Sequence, residues 1–183
     1  MKGMTNVFGE LDIKDRWNLK IIKVEPHEVK SYTPIGMAYV MMRNASFESK
    51  DISLSNKYAC VNTRDPFTVA CEEDSSACII EFPGLTLLET RLYIQDCLDM
   101  GNLSYMDGGT NTTAINPGRL GDPVVNYVHF PAHMYQTLHT HPPHRVGLVI
   151  RGNGKIELDN KEFYDINEGE IFFMRRNCLH NFI

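Results

Sequence analysis

The chain has 183 residues, of which 43% are apolar and 22% charged, with a net charge of −5. That is ordinary globular composition, long enough for one compact domain or two small fused ones, with a core that needs no disulfide or structural metal. The basic residues form no run or aromatic-spaced stripe, which argues against nucleic acid as a partner. No apolar stretch approaches the roughly 20 residues of a membrane span, and the opening MKGMTNVFGELDIKDRWNLK lacks the apolar core of an export leader.

The five cysteines, Cys60, Cys71, Cys78, Cys97 and Cys178, are odd in number and include no CxxC pair. A disulfide framework or zinc ribbon is therefore not expected, and a reducing, cytoplasmic setting is. Sequons at Asn44, Asn102 and Asn111 are read as chance matches.

In chain order, short runs rich in β-branched and aromatic residues predict strands over Trp17–Val24, Gly36–Arg43, Lys57–Asn62, Pro66–Cys71 and Ala77–Phe82. A polar turn at Glu72–Ser76 separates the last two, and Pro83-Gly84 closes the set. Leu85–Leu98 is ambiguous: Leu85, Leu88 and Leu92 keep helical spacing, whereas Leu88, Thr90, Leu92 and Ile94 alternate as in a strand. Asp107–Pro123, rich in Gly, Asn and Thr, reads as a loop or linker. Strands then resume at Val124–Phe130, Tyr135–His141, Val146–Arg151, Lys155–Leu158 and Glu170–Met174, with Gly152-Asn153-Gly154 as a tight turn. The expectation is all-β, a sandwich or barrel.

Six of the seven histidines lie between His129 and His180. Residues two apart on a strand share a face, so His139 and His141 project together at a spacing that suits one metal ion. Pro142-Pro143 ends that strand's hydrogen bonding. His180, after the strand Glu170–Met174 and a turn, is the natural third ligand. The competing reading is a set of core histidines without metal.

The stretch His139-Thr-His141-Pro-Pro-His144-Arg-Val-Gly-Leu-Val-Ile-Arg-Gly152-Asn-Gly154 resembles the first cupin motif, with its HxH pair and closing GxG turn. Gly169-Glu170-Ile-Phe-Phe-Met-Arg-Arg-Asn177-Cys-Leu-His180 is similar to the second. The resemblance covers about 60 residues and departs from the family at two points: Arg145 stands where the glutamate ligand is usual, and the proline usual near Arg175 is absent. It implies a cupin-type double-stranded β-helix (jelly roll) with a divalent metal on His139, His141 and His180. It also implies a homodimer and either one barrel or two packed cupin-like barrels: a degenerate, metal-free region over 1–106 and a metal-binding domain over 107–183. Because such a barrel usually continues beyond the last histidine, three explanations stay open for the end at Ile183: a longer chain, a strand from the N-terminal half, or one from a partner.

Three neutral imidazoles suit iron, zinc, nickel or copper alike. By alternation Arg145 shares a face with Gly147 and Val149. It points either into the barrel, where it would grip an anion in bidentate fashion, or into solvent if the prolines shift the register. Tyr135 shares the parity of His139 and joins Arg145 as a candidate catalytic residue. Thr137 and His133 share that parity too, whereas Gln136 falls on the opposite face unless a bulge intervenes. Cys178 reads as a structural thiol, and His129 and His144 as surface or supporting residues. The function expected is a metal-dependent dioxygenase or isomerase acting on a small anionic metabolite, with no further cofactor. The alternatives are a ligand-sensing barrel for a sugar or acid, and a storage-type structural barrel.

Overall fold

A computed structural model describes residues 3–14, 18–86, 89–95 and 98–183. Among them all regular structure is strand except one 3₁₀ turn at Met106–Gly108. The all-β expectation holds. By contacts, the described residues of Met1–Asn6, Cys97–Thr113 and Asn126–Ile183 form one compact unit, and those of Val7–Asp96 and Ala114–Val125 form the other.

The second of these units is built on one large sheet. Its strands run in the order Glu10–Ile13, Leu19–Val24, Ser76–Phe82, Met37–Ser49, Ser53–Thr63, Arg91–Ile94. Val29–Tyr32 and Phe67–Ala70 pair with each other beside it. Met37–Ser49 organises the unit because it changes partner along its length. Residues 37–43 pair with Ser76–Phe82, and residues 46–49 with Phe67–Ala70. Irregularities between Met42 and Phe47, with Asn44 at φ 51°, make the bend. The alternation predicted only Gly36–Arg43 because it stops at that bend. Its core joins Ile22, Val24, Val40, Phe47, Val61, Val69 and Ile79, each fully buried aliphatic side chain worth about 1.5–3 kcal/mol.

Of the ambiguous Leu85–Leu98 stretch, Arg91–Ile94 is a strand, while Leu88 and Cys97 lie outside the described residues, as does Trp17. The loop expected over Asp107–Pro123 is corrected: Thr110–Ile115 is a strand, in a sheet with Leu103–Ser104 and Val125–His129. Its β-branched Thr residues suit a half-exposed strand, whereas Asn111 is the kind of residue that read as loop.

The C-terminal unit places two three-stranded sheets face to face. One runs Met4–Asn6, Ile171–Met174, Arg145–Leu148; the other runs Phe163–Asn167, Asn153–Leu158, His180–Phe182. Met4 and Met174 from the first meet Ile156, Leu158 and Ile166 from the second in one core, flanked by Phe172 and Phe182. The chain's own Met4–Asn6 supplies an outer strand, pairing Met4 with Met174 and Asn6 with Phe172. The Gly-Asn-Gly turn resolves into two separate needs. Gly152 takes φ 85°, which glycine adopts freely, whereas Gly154 is already in the strand and lies under the Ile183 carbonyl, 2.7 Å from where a Cβ would sit.

Gly147 has a packing role. It pairs with Phe172, and a Cβ there would lie 2.2 Å from the ring's Cζ. Gly147→Ala is expected to destabilise the protein by about 1–3 kcal/mol, the usual cost of overpacking. In a urea-denaturation double-mutant cycle, Phe172→Leu should recover most of that loss. Independent, additive losses would show that the ring is not the obstacle.

Candidate metal centre

Two reciprocal backbone hydrogen bonds build the site. His139 N donates to His180 O at 2.9 Å, and His180 N donates to His139 O at 3.0 Å. Residues so paired project from the same face. His141, two residues on, follows. The ring centroids are 4.5 Å apart for His139–His180, 4.8 Å for His139–His141 and 5.4 Å for His141–His180. One ring nitrogen from each lies within 4.8 Å of the others.

The tautomers follow from the carbonyls. His139 Nδ1 donates to Thr137 O at 2.8 Å, and His180 Nδ1 donates to Cys178 O at 2.9 Å. A carbonyl only accepts, so both rings carry a proton on Nδ1, and in the neutral ring Nε2 is left with a free lone pair. His139 Nε2 faces His141 Nε2 at 3.2 Å. Two nitrogens each about 2.0–2.1 Å from one ion stand roughly 2.9–3.4 Å apart, so the His139–His141 pair has the spacing of two ligands on one divalent ion, with the His180 donor within 4.8 Å. Burial first, then the Arg145 charge and the two neighbouring rings, pushes the His141 pKa down to about 4. Burial also lowers that of His180, opposed by the Cys178 carbonyl. Both rings are thus held neutral, the form that ligates.

Arg145 pairs with the core residue Met174, which sets its side chain on the inward face. Its Nε is buried with no hydrogen-bond partner among the described residues. The structure therefore places Arg145 inside, not in solvent.

The approach to His139 differs from the expected strand Tyr135–His141. Counting out from the His139–His180 pair, Thr137 is due opposite Phe182. Instead Gln136 N donates to Phe182 O at 3.0 Å. One residue is inserted, a β-bulge, and the side-chain parity before it inverts. Exposure follows: Tyr135 is 61% exposed and Gln136 1%. The Tyr135 hydroxyl donates at 2.6 Å to Glu157, which pairs with Asn181 and so lies on the face away from His180. Tyr135 is not brought to the histidines. Gln136 takes the inward row of Phe182, with both amide atoms buried and unpartnered among the described residues. No local signal in the sequence marks the inserted residue.

The other histidines stay apart from the cluster. His133 is exposed in the turn Pro131–Met134 at φ 63°, and His144 Nδ1 accepts from Arg176 N at 3.0 Å. Cys178 packs against the core, and its carbonyl is its contribution to the site.

Residues 120–183 match the family model described as an AraC-like ligand binding domain. No curated protein matches the sequence. Among solved structures, a putative glyoxylate-induced protein from Pseudomonas aeruginosa superposes with a TM-score of 0.63 at 13% identity, over 98% of this chain and 75% of that one. A cupin 2 conserved barrel domain protein from Leptotrichia buccalis gives 0.57 at 13%, over 98% and 81%. The fold is that of the cupins. A salicylate 1,2-dioxygenase from Pseudaminobacter salicylatoxidans also superposes, at 0.57 and 10% identity, over 94% and 72%. In this cupin fold the histidines occupy the two motifs that carried the resemblance, with Arg145 at the position of the missing carboxylate.

Burial of neutral His141 has a consequence for stability. An unfolded histidine titrates near about 6.5, and His141 in the folded, metal-free protein near about 4. Between those values the unfolded chain binds more protons, so this stabilisation is complete above about pH 6.5 and is lost as pH falls toward about 4. Urea denaturation of metal-free protein should show that decline, and His141→Asn should flatten it. An unchanged slope would place its origin elsewhere.

Proposed function

We propose that this cupin barrel holds a divalent metal on His139, His141 and His180 and acts on a small carboxylate or similar anion bound beside it, as an oxygenase or isomerase. The observation that carries the anion is the Arg145 guanidinium, turned inward with its Nε buried and unpartnered. Three neutral ligands leave the ion's charge uncancelled, and the cluster contains no carboxylate. An anion would satisfy both the arginine and the metal.

A bound metal would supply Lewis acidity and open coordination positions. Arg145 is suited to orient a carboxylate through two parallel hydrogen bonds. Gln136 offers one donor group and one acceptor to a neutral part of the same molecule. Phe182, with its ring 5.8 Å from that of His180 and stacked on Phe130 at 5.1 Å, gives the site an apolar flank that restricts water. The likeness in fold to a salicylate 1,2-dioxygenase favours oxygen chemistry on a carboxylate. A second reading, a barrel that binds its ligand without turnover, is favoured by the match to an AraC-like ligand binding domain.

Elemental analysis should find one divalent metal per chain, lost in His139→Ala and in His180→Ala. Arg145→Leu should retain the metal while weakening the binding of small carboxylates at least tenfold, as expected for a lost charge-assisted bidentate pair. Loss of metal from Arg145→Leu would instead assign the arginine a structural role. Oxygen uptake by iron-loaded protein with a panel of small acids separates the two readings: tight binding without turnover selects the sensor.

A further inference from the structure

We infer that Asp107 is a positioning residue for His139, its carboxylate pinning the β-bulge that aims the imidazole. This inference rests on the reading of His139 as a metal ligand. The bulge takes Thr137 out of register, so its N–H has no ladder acceptor on the strand His180–Phe182. Asp107 supplies one. Its Oδ2 accepts from Thr137 N at 2.7 Å, and its Oδ1 accepts from Thr137 Oγ1 at 3.1 Å. Both carboxylate oxygens are spent on one residue, which fixes that residue in orientation as well as position. The Thr137 carbonyl in turn accepts from His139 Nδ1 at 2.8 Å. A continuous chain therefore runs from carboxylate to threonine to imidazole, and its last link sets the tautomer that leaves Nε2 free for metal.

The turn that carries Asp107 is itself held in place. Asp107 adopts φ 55° and ψ 32°, a left-handed conformation that aspartate tolerates better than most residues. Tyr105 N donates to Gly109 O at 2.8 Å and Gly109 N to Met106 O at 3.1 Å, closing the turn on either side. Gly109 is buried, and a Cβ there would lie 3.2 Å from the Phe130 ring and 3.3 Å from the His129 carbonyl. The carboxylate is thus presented from a seated turn rather than a free loop tip.

The test compares wild type with Asp107→Ala, Asp107→Asn and Thr137→Val. It measures Zn²⁺ affinity by chelator competition and the ¹⁵N shifts of the His139 ring in metal-free protein. Removing a group that orients a ligand typically weakens metal binding about 10–100-fold, and Asp107→Ala should fall in that range. In that variant His139 should also leave the pure Nδ1–H tautomer for a mixture. Asp107→Asn keeps an acceptor for Thr137 N and should restore most of both properties. Wild-type zinc affinity with an unchanged His139 tautomer in Asp107→Ala would overturn the inference. If that variant does not fold, Thr137→Val decides: an intermediate loss supports the pin, and wild-type behaviour overturns it. The two readings fail separately. Undiminished zinc binding by His139→Ala sinks the metal assignment, whereas a zinc-dead His139→Ala beside a wild-type-like Asp107→Ala sinks the pin alone.

Discussion

The pair of backbone hydrogen bonds between His139 and His180 is the constraint on which the candidate centre depends, because it joins residues far apart in sequence and sets them on one face. The pairing is short. Toward the N-terminus a bulge interrupts it, and toward the C-terminus Pro142 and Pro143 offer no donors. Its firmness comes from the other side of the strand, where His180 pairs with Leu158 and Phe182 with Ile156. The geometry of the histidine cluster is therefore inherited from the hydrophobic core that holds Ile156 and Leu158. A slip of one residue in that register would send all the side chains of the strand to the opposite face.

Charge is the second constraint. Three buried or half-buried imidazoles and an inward arginine lie in this unit of packed sheets, and the carboxylate nearest in register, Glu157, is turned to the other face, where Tyr135 takes it. Arg145 is thus the charged group beside these neutral rings, and the histidine cluster itself contains no carboxylate. The same arrangement accounts for the depressed His141 pKa, since burial and the guanidinium both disfavour an imidazolium there.

Around these histidines the chain distributes supporting roles to residues outside the cluster. The carbonyls of Thr137 and Cys178 orient two rings, Gly147 makes room for Phe172, and Asn177 N, at φ 56°, ties the turn back to His141 O at 2.7 Å. The two carbonyls fix ring orientations and the Asn177 bond fixes the His141 backbone, in a cluster whose first histidine lies outside any regular strand.

The sequence by itself determined the all-β character, most strands of both halves, and the His-x-His pair with its distant third histidine. Those features rest on period-two alternation and on turn residues whose conformational preferences are local. Only the tertiary structure decided that Met4–Asn6 joins the sheet of Ile171–Met174, that Thr110–Ile115 is a strand and not a linker, and that Gln136 rather than Tyr135 faces inward. The physical reason is the same in each case. Strand partners and inserted residues leave no local trace, because an extra residue between Gln136 and His139 acquires meaning only when Phe182 and His180 stand opposite.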